Sequence, residues 1–301
     1  MVTDVQQSAQ RVNRLSTSFS EIVRLFRIVL LERRLPGKCY RLYYGLLNRL
    51  GIRFATIRLK QGLTVKGYTH CLFMFYEIWS KKDYDIPNFS LAQNMTVVDI
   101  GANQGFFSLY AASKGASVYA FEPCFDNFEV LKWNVSTNDM ENRVTAFNAA
   151  VTGKKGQIPL FVGLDASGEI VSGTVSTCNT NRGGKGVETR RVESVTLNSL
   201  LDDLHIQKCD FLKMDCEGAE YEILANTSPA TFGRIARISL ECHENRMREA
   251  ITILKNAGFD IVSQKNGEAG ILKAVNKHLG LVFGGPIPGA ATVQDSPDLE
   301  Q

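Results

Sequence analysis

The residues best suited to chemistry fall in three short runs. KMDCEGAE carries Lys213, Asp215, Glu217 and Glu220 within eight residues, and ECHEN carries Glu241, His243 and Glu244. TVVDIGANQGF, followed by AFEP, carries Asp99, Gly101, Asn103, Gly105, Phe106 and Glu122. Neighbouring carboxylates beside a histidine suit removal of a proton from a weak acid such as an alcohol, because mutual repulsion raises one carboxyl's pKa toward a useful range. Asp215 is expected near the reacting centre, with Glu217 or His243 taking the proton and Lys213, Glu220 and Glu241 on the substrate side. Two glycines four apart suit a turn where the backbone passes close to a ligand.

Those runs need elements to hold them. Val97–Ile100, Ser117–Phe121, Val144–Phe147, Phe211–Met214 and Ile238–Glu241 read as short apolar strands, with helices over SLYAASKG and DNFEVLKWN between them. Asp126, with Glu129 three residues on, has the spacing of a capping box. This alternation implies an α/β fold with a doubly wound, mostly parallel sheet, whose strand carboxyl ends form the ligand crevice. Four zones follow: a basic helical extension over 1–50, short strands and an aromatic helix (Phe73–Trp79) over 51–94, the core over 95–280, and a loose tail over 281–301. Residues 152–195, rich in Gly, Ser and Thr, break the rhythm and read as a strand-and-loop excursion covering the crevice. Arg182, Lys185, Arg190 and Arg191 there are candidates for meeting an acidic substrate, or a solvated basic loop.

Composition bounds the class. Hydrophobic residues at 44% and charged residues at 22% fit a globular protein. Residues 1–60 carry twelve Lys/Arg against three acids, a net of +9, while the rest nets −6. The basic helix, with Ile22, Leu25, Phe26 and Val29 on one face, suits an anionic membrane surface or packing on the body. Nucleic acid is not expected, since the basic residues lie far in sequence from the crevice and lack a stacking platform. Seven cysteines without a C-x-x-C pair read as free thiols in a reducing compartment. With a polar start and no run able to span a bilayer, a cytoplasmic location is expected, membrane-peripheral contact being left open.

The glycine loop narrows the ligand. A pyrophosphate turn wants G-x-G-x-x-G, but Asn103 holds the middle position and Asp99 puts an acid where phosphates would approach. No G-K-[ST] follows either. An acid beside a tight turn suits a ligand with a positive group and no phosphate, and S-adenosylmethionine fits. Gly101 and Gly105 would then pass close to its methionine moiety, helix N-terminal N–H groups would face its carboxylate, and Asp99 would answer its ammonium. Glu122 would accept from the ribose hydroxyls, with Asn127 on the ribose or adenine side and Asn148 where the adenine would lie. Asn134 reads as a turn or cap residue. A metal in ECHEN is not favoured, because the spacing matches no tight ligand set.

Taken together, VVDIGANQGFFSLYAASKG, AFEP, NFEVLKWN, FNAAV, DFLKMDCEGAEYEIL and SLECHEN resemble the FkbM-type family of S-adenosylmethionine-dependent methyltransferases, from about Leu59 to Phe259. The resemblance implies a class I methyltransferase fold of the Rossmann-like type. It also implies O-methylation of a hydroxyl on a small molecule, sugar or glycan. Asn198, where the family usually has Asp, and Cys216, where it has an aliphatic residue, depart from the pattern. Two rival readings stay open: a cofactor-binding protein without catalysis, and a nicotinamide-dependent oxidoreductase.

Overall fold

A computed structural model of the chain describes residues 52, 54–59, 61–164, 170–177, 186–243, 246–266 and 270–279, with 171–174 as backbone alone. The extension over 1–50, the tail over 281–301, Arg182, Lys185 and Glu244 lie outside the described residues. Two compact units meet in sequence at Ser80 and Lys81. In the first, FATIR and TVKGY pair antiparallel as β1 (Phe54–Arg58) and β2 (Thr64–Tyr68). The aromatic run then forms α1 (Leu72–Tyr76) and passes into π-helical Glu77–Lys81.

The second unit starts with β3 (Thr96–Ile100), α2 (Phe106–Ser113), β4 (Ser117–Phe121), α3 (Phe125–Thr137) and β5 (Val144–Phe147). The excursion contributes β6 (Ala150–Val151), β7 (Gly156–Leu164), β8 (Ile170–Ser176) and β9 (Gly186–Val195), a separate four-stranded sheet ordered β6-β9-β7-β8. Its Leu160 and Val162 pack with Cys124, which follows the EP turn. Winding resumes with α4 (Leu197–Asp203), β10 (Phe211–Met214), α5 (Glu220–Ala225), α6 (Pro229–Phe232), β11 (Arg237–Cys242) and α7 (Met247–Asn256). β12 (Phe259–Lys265) and β13 (Gly270–Asn276) finish it.

The main sheet runs β12-β13-β11-β10-β3-β4-β5, with β10, β11, β3, β4 and β5 parallel and β13 antiparallel to both its neighbours. β3 and β10 are the point where chain order reverses. All four residues of β10 are buried, as expected for a parallel strand covered on both faces, so it reads as one apolar run interrupted only by Lys213. The helices close over one continuous core that includes Ile100, Leu212, Leu240 and Leu254.

Two local expectations change, and the role of Asn198 becomes visible. The helix after the EP turn starts at Phe125 with Cys124 as its N-cap and no side-chain cap, so the Asp126–Glu129 box does not form; Asp126 instead pairs with Arg190 at 2.5 Å. Arg190 also pairs with Glu188 at 2.9 Å and is thereby taken up within the protein, not offered to an acidic substrate. Asn198 clips a turn: its amide donates to the Asn226 carbonyl and its oxygen accepts from the Ser228 N–H, at 2.8 and 2.9 Å.

Candidate active site

The site lies where β3 and β10 run side by side, with Lys213 opposite Asp99 and Met214 opposite Ile100. In such a sheet the crevice beyond the strand ends at the switch point receives the ligand. Gly101 has φ 72°, and a Cβ there would stand 1.8 Å from the Asp215 carbonyl oxygen. Only glycine lets the two loops touch. Gly105, left-handed at φ 81°, caps α2, where a Cβ would meet Leu131 Cγ at 3.0 Å. Asn134, expected as a turn residue, is fully buried and donates to the Gln104 carbonyl at 2.8 Å, pinning the loop from behind.

Lys213 locks the two loops together. Its ammonium donates to the Gly101 carbonyl at 2.8 Å and lies 3.2 Å from Asp99 Oδ1 and 3.7 Å from Asp215 Oδ2. Burial alone would lower its pKa, but Asp99 and Asp215 outweigh that and raise it. The Ser108 hydroxyl donates to the other Asp99 oxygen at 2.6 Å. This corrects two expectations. Asp99 is 0% exposed and its charge is answered by Lys213, although Oδ1 accepts no hydrogen bond among the described residues, so it lies behind the loop and does not face a ligand ammonium; Lys213, at 3%, sits beneath the loop and not on the substrate side.

Glu122 is the hub of the neighbouring turn. One carboxylate oxygen accepts from the Asn103 N–H at 2.7 Å and the other from the Cys124 N–H at 2.9 Å, and the Asn127 side chain adds a further hydrogen bond. Burial raises its pKa to about 7 against the pull of those donors and of Lys213. Asn148 donates to the Glu122 and Pro123 carbonyls at 2.9 and 3.1 Å, so its amide fixes the EP turn. Phe106 is buried at the start of α2. Asn103 adopts φ 51°, and its Oδ1 is shielded from solvent with no hydrogen-bond partner among the described residues. Buried acceptors are nearly always satisfied, so this orphan fits a ligand that brings a donor to the loop.

The acidic side gathers around His243. Its Nδ1 hydrogen-bonds Glu220 Oε1 at 3.1 Å, while Nε2 faces Glu217 Oε2 at 3.4 Å and Glu241 Oε1 at 3.8 Å. Burial opposes its charge, yet the Glu220 hydrogen bond and the charges of Glu220, Asp215 and Glu217 bring its pKa to about 9. Glu220, expected on the substrate side, is 0% exposed and accepts from the Cys216 and Gly218 N–H groups at 2.9 and 3.0 Å, so it builds the loop and orients His243. Glu217 leaves the extended line of β10 at φ 55°, and its carbonyl accepts from Ser176 of β8 at 2.7 Å. The excursion thus touches the acidic loop.

Tyr84 was not among the residues singled out from sequence. Its hydroxyl lies 2.9 Å from Asp215 Oδ2 and 2.9 Å from Glu241 Oε2. Burial, then the two acids, raises its pKa well above the usual phenol value. Burial and the nearby Asp215 push Glu241 up to about 8. The metal reading also changes: Asp215, Glu241 and His243 come from two adjacent strand ends, and their ligand atoms all lie within 4.8 Å of one another. Local spacing in ECHEN could not show this, because the third donor is remote in sequence.

The sheet order, the reversal at β3 and β10, and a ligand loop at that point define an α/β fold of the class I methyltransferase, Rossmann-like type. A family model described as the methyltransferase FkbM domain matches residues 99–261, and the chain belongs to that family. Methyltransferase sdnD of Sordaria araneosa is 30% identical over 218 residues, covering 64% of this chain and 83% of the relative. The 31-O-demethyl-FK506 methyltransferase FkbM of Streptomyces tacrolimicus is 26% identical over 241 residues, covering 70% and 91%. Among solved structures, methyltransferase FkbM from Methylobacillus flagellatus KT aligns with a TM-score of 0.45 at 14% identity, covering 66% of this chain and 47% of that one.

Proposed function

We propose that this methyltransferase uses S-adenosylmethionine to methylate a hydroxyl on a small molecule, sugar or glycan. The observation that carries the reading is the interlock of Gly101 with Asp215: the ligand loop and the acidic loop touch through a backbone contact that tolerates no side chain. A group held by the first is therefore presented to the second. When bound, the cofactor supplies an electrophilic methyl on a sulfonium. Glu122 would hold its ribose, and Asn103 Oδ1 offers the acceptor that Asp99 cannot. The acidic surroundings of the crevice favour a positively charged ligand over a phosphate-bearing one.

An alcohol gives up its proton reluctantly, so an oriented base helps. Both nitrogens of His243 face carboxylates and its side chain is 5% exposed, whereas that of Glu217 is 22% exposed. Glu217 is the better placed proton acceptor, with Asp215 beside the reacting centre and His243 orienting the group. Oxygen as the target draws support from the name of the Streptomyces relative, which specifies an O-methyl position. We place the protein in the cytoplasm, with no nucleic-acid partner and with residues 1–50 as the segment for peripheral membrane contact. No helix among the described residues is long and apolar enough to cross a membrane.

The test uses methyl-labelled S-adenosylmethionine and a panel of hydroxylated acceptors, following label transfer. Transfer to oxygen is expected, with Glu217→Gln losing turnover about a hundredfold while still binding S-adenosylhomocysteine. Binding of NAD without S-adenosylhomocysteine would favour the oxidoreductase, and cofactor binding without transfer to any acceptor would favour the non-catalytic rival.

A further inference from the structure

We propose that Asp215, Glu241 and His243 bind one first-row divalent cation, which receives the acceptor hydroxyl. The proposal rests on the methyltransferase reading for what the cation does there, but not for its existence. Three observations carry it. The first is the donor set: two carboxylates and an imidazole with ligand atoms within 4.8 Å of one another, at the carboxyl ends of neighbouring strands β10 and β11. Donors about 2.1 Å from such an ion stand about 3–4 Å apart, so small side-chain rotations close the site.

The second is the way His243 is held. Its Nδ1 is fixed by Glu220, itself fully buried and anchored by two backbone N–H groups. Nε2 makes no hydrogen bond to the described residues and points at oxygens 3.4 and 3.8 Å away, in a side chain 5% exposed. A carboxylate fixing one ring nitrogen so that the other is presented is how proteins orient a metal-binding histidine.

The third is independent of the histidine. The Tyr84 hydroxyl stands 2.9 Å from an oxygen of Asp215 and 2.9 Å from an oxygen of Glu241. A phenol has one proton, so it can donate to only one of two ionised carboxylates. The other contact sets lone pairs against each other unless a proton or a cation lies between the acids. Lys213 fills that need only on one side: its ammonium is 3.7 Å from the same Asp215 oxygen but closer to Gly101 O and Asp99, and no ion pair joins it to Glu241 among the described residues. One imidazole with two carboxylates suits Mn²⁺ or Zn²⁺ better than Ca²⁺, whose ligands are all oxygens.

A cation there would lower the pKa of a coordinated hydroxyl. The step balances: the acceptor O–H bond breaks with its proton passing to Glu217, and an O–CH₃ bond forms. The S–CH₃ bond breaks with its electron pair staying on sulfur.

The experiment is titration of Mn²⁺ into the metal-stripped full chain, read by loss of the free-ion electron paramagnetic resonance signal. S-adenosylhomocysteine calorimetry is run on the same sample. One Mn²⁺ per chain is expected, weakened at least tenfold in Asp215→Asn and in Glu241→Gln, with S-adenosylhomocysteine binding kept in both. Failure of the His243→Gln variant to fold would leave those two substitutions to decide. A wild-type chain that binds S-adenosylhomocysteine but leaves the Mn²⁺ signal unchanged overturns the site and leaves a shared proton as the charge between the acids. Unchanged Mn²⁺ affinity in both variants overturns it as well. Stoichiometric Mn²⁺ binding without S-adenosylhomocysteine binding would support the cation site and count against the methyltransferase reading alone.

Discussion

The two halves of the crevice solve opposite electrostatic problems. Around Asp99 and Glu122 each carboxylate is matched: Asp99 by Ser108 and Lys213, Glu122 by two backbone N–H groups and Asn127. Around His243 four acids, Asp215, Glu217, Glu220 and Glu241, crowd one imidazole and one phenol, with Lys213 3.7 Å from Asp215 and two backbone N–H groups on Glu220. A closed hydrogen-bond network favours one conformation and makes a rigid cradle. Acids held this close raise one another's pKa, as burial and Asp215 do for Glu241. The first half positions; the second is where charge must change.

The largest effect that would sharpen this contrast is expected at the contact joining the halves. Gly101→Ala, facing the Asp215 carbonyl oxygen at φ 72°, should cost more than about 4 kcal/mol in chemical denaturation, since neither backbone can yield cheaply. A loss below about 1 kcal/mol would mean the loops are not interlocked. Next comes Lys213→Met. Removing one partner of a buried pair leaves Asp99 charged and under-compensated, for a loss of about 3 kcal/mol by the same measurement.

Glu122 gives a pH-dependent test of similar or smaller size. Its folded-state pKa of about 7 lies above the ordinary value of 4.5, so the native state binds the proton more tightly. The stability this contributes is present below pH 4.5 and is lost as pH rises through 7, amounting to about 2–3 kcal/mol. Glu122→Gln should remove Glu122's share of the fall when denaturation midpoints are followed from pH 4.5 to 8, leaving the share due to Glu241, whose pKa of about 8 acts in the same direction. A fall unchanged in size would assign it entirely elsewhere. The smallest effect is expected for Tyr84→Phe, about 1 kcal/mol in stability. Its diagnostic is kinetic: acceptor KM should rise while S-adenosylhomocysteine affinity stays unchanged. A matching loss of cofactor affinity would blur the two halves into one.

Much of the matched half was legible in the sequence. Ser117–Phe121, Val144–Phe147 and Phe211–Met214 are strands with the bounds read from sequence: the last is buried at all four residues, and the other two are short, mostly apolar runs between turn residues. Gly101 and Gly105 announce themselves by type and spacing, and the left-handed backbone explains why. The edge strand β12 and its neighbour β13 were missed: IVSQK is polar at its end, and a register shift between Ile261 and Ser263 blurs the alternation.

The other half is a product of packing. Tyr84 is 131 residues from Asp215 and 157 from Glu241, and nothing local marks it. The outward roles expected for Lys213 and Glu220 followed from treating strand-end charges as solvated. Their actual partners, a carbonyl 112 residues away in sequence and two N–H groups of a tight turn, appear only once the loops fold back. Asn134 illustrates the same limit from inside the matched half, where a side chain that looks like a helix cap is the strut behind the glycine turn.

The most direct measurement is calorimetric titration of S-adenosylhomocysteine into the full chain and into Glu122→Ala. Micromolar binding by the wild type, weakened at least tenfold in a folded variant, is expected if the cradle at Asn103 and Glu122 holds the cofactor. No heat of binding to a folded wild type, or equal affinity in both proteins, would contradict the assignment of that half of the crevice to the methyl donor.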